Sequence, residues 1–223
     1  MKKLYLSLTL IFCLQITYSQ DTINNLKEVI VPTSKKILKK QKIGSFNRTT
    51  IEYYFGAGTS PWIVARYYPF EKEYQKTPFI KILTLLTESN LKNALFNIRL
   101  YSVGEDGEPK NYIYNENIFD RAKKGNNLTK VDISKLKIRF PEEGIFVAIE
   151  WLIIDENKYE FISNDLGQNK ESKRISYEPN IGTIPVDEDK FSWIYRNGKW
   201  KKALIDTITK KYNLMAIELT LTN

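Results

Sequence analysis

Two carboxylates in this chain are placed where a charge is unusual. Glu150 interrupts GIFVAIEWLIID (Gly144–Asp155), and Glu218 interrupts the closing run LMAIELTLT (Leu214–Thr222). Two carboxyl groups about 5–9.5 Å apart across a cleft are what glycoside hydrolysis requires. Other chemistry is narrowly bounded. The chain has no histidine, and its one cysteine, Cys13, lies in the apolar N-terminal stretch. His-based triads, Cys–His dyads and most zinc and iron sites are therefore excluded. No glycine-rich phosphate loop leads from a strand into a helix. A charged residue on a sheet face is more often structural than catalytic, and that reading is preferred for both carboxylates.

Two turns are acidic: Glu105, Asp106 and Glu108 in one, Asp187, Glu188 and Asp189 in another. Hard cations take several oxygen ligands, but neither cluster has the spacing of a calcium loop. Both are read as solvated turns, and no metal or cofactor is implied. Aromatic residues are the remaining candidates. Tyr53, Tyr54, Phe55, Trp62, Tyr67, Tyr68 and Phe70 crowd one stretch, and Trp193 and Trp200 flank Asn197-Gly198. Exposed rings stack on sugars; buried rings fill a sandwich core.

The elements that would carry these residues read as strands. In Gly144–Asp155, Ile145, Val147, Ile149, Trp151 and Ile153 share one face, as alternate side chains do. Phe146, Ala148, Leu152 and Ile154 share the other, so this strand belongs in the middle of a sheet. In Ala94–Val103, Ala94, Phe96, Ile98 and Leu100 face one way, and Asn97, Arg99 and Tyr101 the other. Further strands are expected at Thr50–Gly56, Trp62–Tyr68, Phe79–Thr87, Leu128–Ile133, Leu136–Phe140 and Leu214–Thr222, with a short one over Tyr112–Ile118. Asn197-Gly198 predicts a hairpin between Phe191–Tyr195 and Lys199–Leu204. Turns are expected at Asn90–Asn93 and Lys123–Asn127, a polar loop at Asn164–Lys173, and one helical turn at Ile205–Tyr212. About ten strands with almost no helical periodicity predict an all-β fold. The expected form is a two-sheet antiparallel sandwich with jelly-roll-like topology.

Lys2 and Lys3 precede an apolar stretch, Leu4–Ile16, too short to span a bilayer, and Thr17-Tyr18-Ser19 approximates a cleavage site. Residues 1–19 thus read as a secretory signal peptide. No later run approaches the length of a membrane span. The net charge of +8 becomes +6 without 1–19. Most of it sits in residues 20–45, where KKILKKQK places five lysines in eight residues. That segment is read as a basic linker or arm, and 46–223 as the sandwich domain. A general basic surface for nucleic acid is not indicated.

Residues 94–155 carry a resemblance. Arg99-Leu100-Tyr101, Gly107-Glu108-Pro109, Asn117-Ile118, Val131-Asp132-Ile133-Ser134 and Pro141–Trp151 are similar to a β-sandwich module of exported Gram-negative proteins. These are called carboxypeptidase-like regulatory domain-containing proteins, and some are associated with TonB-dependent receptors. The resemblance covers about half of the chain after residue 19, and it implies a sandwich in an exported compartment. Leu26–Val31 is similar to the segment preceding a receptor plug, but neither plug nor barrel follows, so receptor function is not carried over.

These readings converge on an exported, noncatalytic binding or assembly module of the cell envelope, partnered by an envelope protein or a glycan. A carbohydrate-binding module and a carboxylate-dependent glycan hydrolase are the alternatives. Candidate ligand-binding residues are Asn97, Arg99, Tyr101, Glu150 and Glu218 on sheet faces, with Trp62, Trp193 and Trp200 as rings.

Overall fold

The computed structural model describes residues 38–164, 171–187, 190–207 and 209–223. The expected signal peptide, the arm up to residue 37, the centre of the polar loop, and Glu188 and Asp189 lie outside these residues. The described chain is an all-β antiparallel sandwich. Its strands are β1 (Lys40–Ile43), β2 (Tyr54–Ala57), β3 (Ile63–Tyr68), β4 (Phe79–Val103), β5 (Pro109–Tyr112), β6 (Ile118–Asp132) and β7 (Ile145–Trp151). There follow β8 (Lys158–Asn164), β9 (Glu171–Val186), β10 (Trp193–Arg196), β11 (Lys199–Lys202), β12 (Tyr212–Met215) and β13 (Ile217–Thr222).

Hydrogen bonding runs continuously through β1-β13-β4-β7-β3-β10-β11. One continuous path serves both layers because β4 belongs to each. Its first part pairs with β13, Leu83 opposite Leu219 and Leu85 opposite Ile217. Its second part pairs with β7, Ile98 opposite Ile149 and Leu100 opposite Val147. At about 3.3 Å per residue, 25 straight residues would span about 80 Å. Yet Leu83, Leu85, Ile98 and Leu100 lie in one buried cluster with Ile149 and Leu219. The strand must therefore bend, and its register against β6 shifts between Ser89 and Asn93. The expected turns at Asn90–Asn93 and Lys123–Asn127 are thus not chain reversals. They are the bent middles of two long paired strands.

Past the bend, β4 exchanges β9 for β7 as its second neighbour, and Asn157 satisfies the main chain at Leu95 where neither strand reaches it. Asn157 is fully buried. Its Oδ1 accepts from the Leu95 N–H at 2.8 Å, and its Nδ2 donates to the Leu95 carbonyl at 2.7 Å and the Leu152 carbonyl at 3.1 Å. The side-chain amide thus substitutes for a partner strand. Trp151 is tied nearby, its Nε1–H donating to the Pro179 carbonyl at 2.6 Å.

Four further expectations are corrected. Residues 40–43 are not linker: β1 pairs with β13, and Ile43 is buried while Lys40 and Lys42 point outward. Lysines on an edge strand discourage pairing with another chain, so this part of the lysine block belongs to the domain. Leu136–Phe140 is not a strand but a 3-10 turn over Ser134–Leu136, with Lys137 left-handed and a single bridge from Arg139 to Phe79. Ile138 and Phe140 are buried all the same. The two ends of the expected Asn164–Lys173 loop are strand: Asn164 closes β8, and Glu171–Lys173 open β9, paired with β8. Ile205–Tyr212 shows a turn rather than a helix, in which Asp206 accepts from the Thr209 N–H and hydroxyl. The strand expected over Gly144–Asp155 is found in mid-sheet between β4 and β3, but it covers only Ile145–Trp151, and Asp155 opens a 3-10 turn.

Asn157→Ala is expected to cost about 3 kcal/mol or more, because three buried main-chain groups lose partners worth about 1–3 kcal/mol each. Asn157→Asp keeps one acceptor but sets a second carboxylate oxygen against the Leu95 and Leu152 carbonyls in a buried site, and is expected to cost at least as much. Chemical denaturation of the three proteins checks this; an alanine loss under about 1 kcal/mol would refute it.

Candidate functional site

Strand register decides which candidates meet. Asn97 stands opposite Glu150, and Glu150 opposite Ile63, which stands opposite Tyr195. The next row is Arg99, Ala148, Ala65 and Trp193; beyond it lie Tyr101, Phe146 and Tyr67. All face away from the row of Ile98, Ile149 and Val64 that fills the main core. This outer face has its own small core, in which Ile63, Ala65, Tyr101, Phe146, Ala148 and Trp193 are buried.

The two alanines explain how the face is partly covered. Trp200 on β11 meets Tyr101 on β4 edge-to-face, with centroids 5.3 Å apart. Four strand spacings separate β4 from β11 along the sheet, about 19 Å if flat. The β10–β11 hairpin must therefore curl back across the outer face, and Ala148 and Ala65 leave room for it. Asn197 and Gly198, both with positive φ, supply its tight turn as expected.

Beyond the hairpin's cover lies a polar cluster. The Asn97 Nδ2 donates to Glu150 Oε2 at 2.7 Å and to Asn117 Oδ1 at 3.0 Å. Its Oδ1 accepts from the Ile118 N–H at 3.0 Å. The Arg99 Nε donates to the same Glu150 Oε2 at 2.8 Å. Arg99 also lies over the ring of Tyr112, 5.2 Å from its centroid. The side chains of Arg99 and Glu150 are 16% and 29% exposed. Among the described residues, Glu150 Oε1 and both terminal nitrogens of Arg99 have no protein partner. A free carboxylate oxygen beside free guanidinium donors matches a pair of adjacent hydroxyls, which donate to one and accept from the other.

The aromatic surround is Tyr112, Tyr101, Trp200 and Tyr195. The Tyr101 and Tyr112 rings lie 4.8 Å apart, and Tyr195 lies 5.1 Å from Trp200. Burial, then the Tyr112 hydroxyl, push the Tyr101 hydroxyl above the ordinary tyrosine range. Glu150 also borders a cleft of about 420 Å³ with Ser60, Trp62, Tyr195 and Arg196.

The other candidates separate. Glu218 lies on the outer face of the opposite layer, between buried Ile217 and Leu219. It pairs with Lys42 at 2.8 Å and accepts from the Ser45 hydroxyl at 2.7 Å. Burial works against its ionisation, but these hydrogen bonds outweigh it and hold the carboxyl below the ordinary range. Glu150 and Glu218 therefore do not face one cleft, and the two-carboxylate hydrolase arrangement is not formed by them. Trp193 is not a platform: it is 8% exposed, against Phe146 and Phe191 and under Lys202. Trp62 packs on Trp151 and Phe55 with Arg196 over its ring, so only part of it reaches the cleft. Asn117, Tyr112 and Tyr195 were not singled out from the sequence. Tyr112 could have been, since the turn at Gly104–Lys110 folds it back beside Tyr101. Among the described residues no three acidic side chains gather as a metal site.

Glu178 is a buried carboxylate away from this face. Its Oε1 accepts from Asn90 at 3.0 Å, while Oε2 is buried with no donor among the described residues. Burial raises its carboxyl, hydrogen bonds from Asn90 and Ser89 oppose, and Glu88 adds to the rise.

No protein-family model matches the chain, and no curated protein matches it. Among solved structures it is similar to the cysteine protease and lectin-like domains of Cwp84, a surface layer associated protein of Clostridium difficile. The TM-score is 0.43 at 13% identity, over 74% of this chain and 32% of that one. The chain thus spans about a third of that neighbour's length. No helix among the described residues is long and apolar enough to cross a membrane.

Arg99→Ala is expected to cost about 1.5–3 kcal/mol, the range of a charge-assisted hydrogen bond. An exposed pair would give about 0–1 kcal/mol and a sealed one about 3–5 kcal/mol. A double-mutant cycle with Glu150→Gln measures it, and a coupling near zero would refute the cluster. A second expectation concerns Glu178. Its carboxyl is raised above the ordinary value of 4.5 in the folded chain. Between the two values the folded state binds more protons, so stability falls as pH rises through that window and then levels. Glu178→Gln should melt higher than the parent at pH 7, and the gap should close as pH falls to about 4. An unchanged gap across this range would refute it.

Proposed function

We propose that this chain is an exported, noncatalytic binding module of a bacterial envelope that takes a glycan on the outer face of β4, β7 and β3. The observation that carries the reading is the Asn97–Glu150–Arg99 cluster. It leaves a carboxylate oxygen and guanidinium donors free beside the exposed ring of Tyr112 and the partly exposed rings of Trp200 and Tyr195, which pack around the buried Tyr101. Sugars present hydroxyl pairs on an apolar ring, and this face offers complementary groups to both. The cleft beside Glu150 gives a ligand residue a place to enter.

Export is supported by the basic-then-apolar pattern of residues 1–16. The resemblance to exported sandwich modules is consistent with the same compartment. A binding role is preferred to hydrolysis because, among the described residues, Glu150 is the one acidic side chain lining the cleft it borders, and the side chains bonded to it are Asn97 and Arg99.

A glycan array probed with the chain lacking residues 1–19 tests the reading. Binding without release of reducing sugar is expected. Tyr112→Ala and Glu150→Gln should each lower it by about tenfold or more, roughly 1.4 kcal/mol, while still unfolding cooperatively; Tyr112 is the exposed ring of the cluster, whereas Tyr101 is buried. Binding unchanged in both variants would overturn the site. Recovery of a protein rather than a glycan in an envelope pull-down would move the assignment to an assembly module.

A further inference from the structure

A second cavity, of about 460 Å³, opens at the far end of β3, beyond the small outer core. That volume lies within the range of small-molecule sites. Tyr67, Phe146, Phe191 and Trp193 contribute its aromatic walls, and Arg66 lines it.

Arg66 differs from Arg99 in what holds it. Its Nη1 donates to the Met215 carbonyl at 2.8 Å and the Ile217 carbonyl at 3.0 Å, and reaches the Gly44 carbonyl at 3.5 Å. The guanidinium lies over the Tyr68 ring, 4.8 Å from its centroid. These contacts fix its position without neutralising its charge. Among the described residues no carboxylate pairs with it. Its Nε and Nη2 have no acceptor among them, and neither is sealed from solvent. Nε and Nη2 form the guanidinium edge that binds a carboxylate through two parallel hydrogen bonds. Gly44 keeps the space open. Its φ is +70°, and a Cβ there would lie 2.6 Å from Tyr68 Cε1 and 3.1 Å from Arg66 Nη2. Lys190 adds positive charge to the rim; the cavity's own carboxylate, Glu71, acts on the Tyr74 hydroxyl.

We propose that this cavity binds a carboxylate carried on a six-membered ring, the acid seated on Arg66 Nε and Nη2 and the ring against the partly exposed Phe191, with buried Trp193 behind it. Uronic acid residues and free cyclic acids share this chemistry. The site is distinct from the Glu150 cluster and does not depend on the glycan reading given to it.

The test uses the chain lacking residues 1–19 and follows the Arg66 Nε–H and Trp193 indole N–H resonances. The probes are glucuronate, its methyl ester and cyclohexanecarboxylate, each up to millimolar concentration. At least one acid should shift both resonances saturably, with the ester about tenfold weaker or more. A response to glucuronate alone assigns an acidic sugar; a response to both acids assigns any ring of that size. Arg66→Gln should abolish the Trp193 shift. Because Arg66 also anchors the start of β13, its variant is read only alongside a melting curve, and the ester comparison stands without it. No shift with either acid, equal binding of acid and ester, or a Trp193 shift surviving in folded Arg66→Gln would each overturn the proposal. Glu150→Gln should leave the Arg66 response unchanged, so this outcome and that of the glycan array are read separately.

Discussion

The bend in β4 is the constraint on which the remaining structure depends. A strand of this length cannot stay straight and also bury Leu83 and Ile98 in one core. Bending interrupts the ladder, and interrupted backbone groups in a dry interior cost free energy unless something else pairs them. Asn157 does so with a side chain on the connection between β7 and β8. Trp151, at the end of β7, is held in the same region by the Pro179 carbonyl of β9. Three separate parts of the chain thus meet just past the bend, where β7 takes over as the partner of β4 and Asn97 stands opposite Glu150.

The outer face shows how burial and availability are balanced. Tyr101 and Trp193 are covered by the curl of the β10–β11 hairpin, which requires residues as small as Ala65 and Ala148 beneath it. The hairpin does not cover Glu150. A fully sealed carboxylate would need every lone pair satisfied, whereas a fully open one would hold its neighbours weakly. Glu150 lies between these limits. One oxygen is fixed by Asn97 and Arg99, and the other has no protein partner among the described residues. The fixed oxygen limits the side chain's freedom, so less ordering is required when a ligand binds.

Much of this was legible in the residues. Alternation in Ala94–Val103 and Gly144–Asp155 separated the core row from the row containing Asn97, Arg99, Tyr101 and Glu150, and these four do meet. Asn197-Gly198 located its hairpin. What failed has a common cause. Polar residues inside long strands, Ser89–Asn93 and Lys123–Asn127, have the composition of turns, and only the partner strand shows that the chain continues. Glu218 was grouped with Glu150 because both interrupt apolar strands. Local pattern does not reveal which layer a strand joins, and the two carboxylates are on opposite outer faces. Lys40 and Lys42 read as linker because like charges repel, yet on an edge strand the same charges face solvent.

Arg66 and Arg99 carry the same charge in two electrostatic settings. Arg99 is compensated by a carboxylate, so its remaining donors lie beside a negative group and suit neutral hydroxyls that can also donate. Arg66 is held by main-chain carbonyls, which bear only partial negative charge and leave the net positive charge in place. In a partly dry cavity that charge interacts more strongly than it would in water. An incoming anion would gain from it, whereas a neutral sugar would gain much less. The aromatic walls favour a ring in either case, so the distinction between the two sites rests on the acid group. Discrimination between a neutral and an acidic ligand can therefore arise in one small domain from whether each arginine is paired with carbonyls or with a carboxylate.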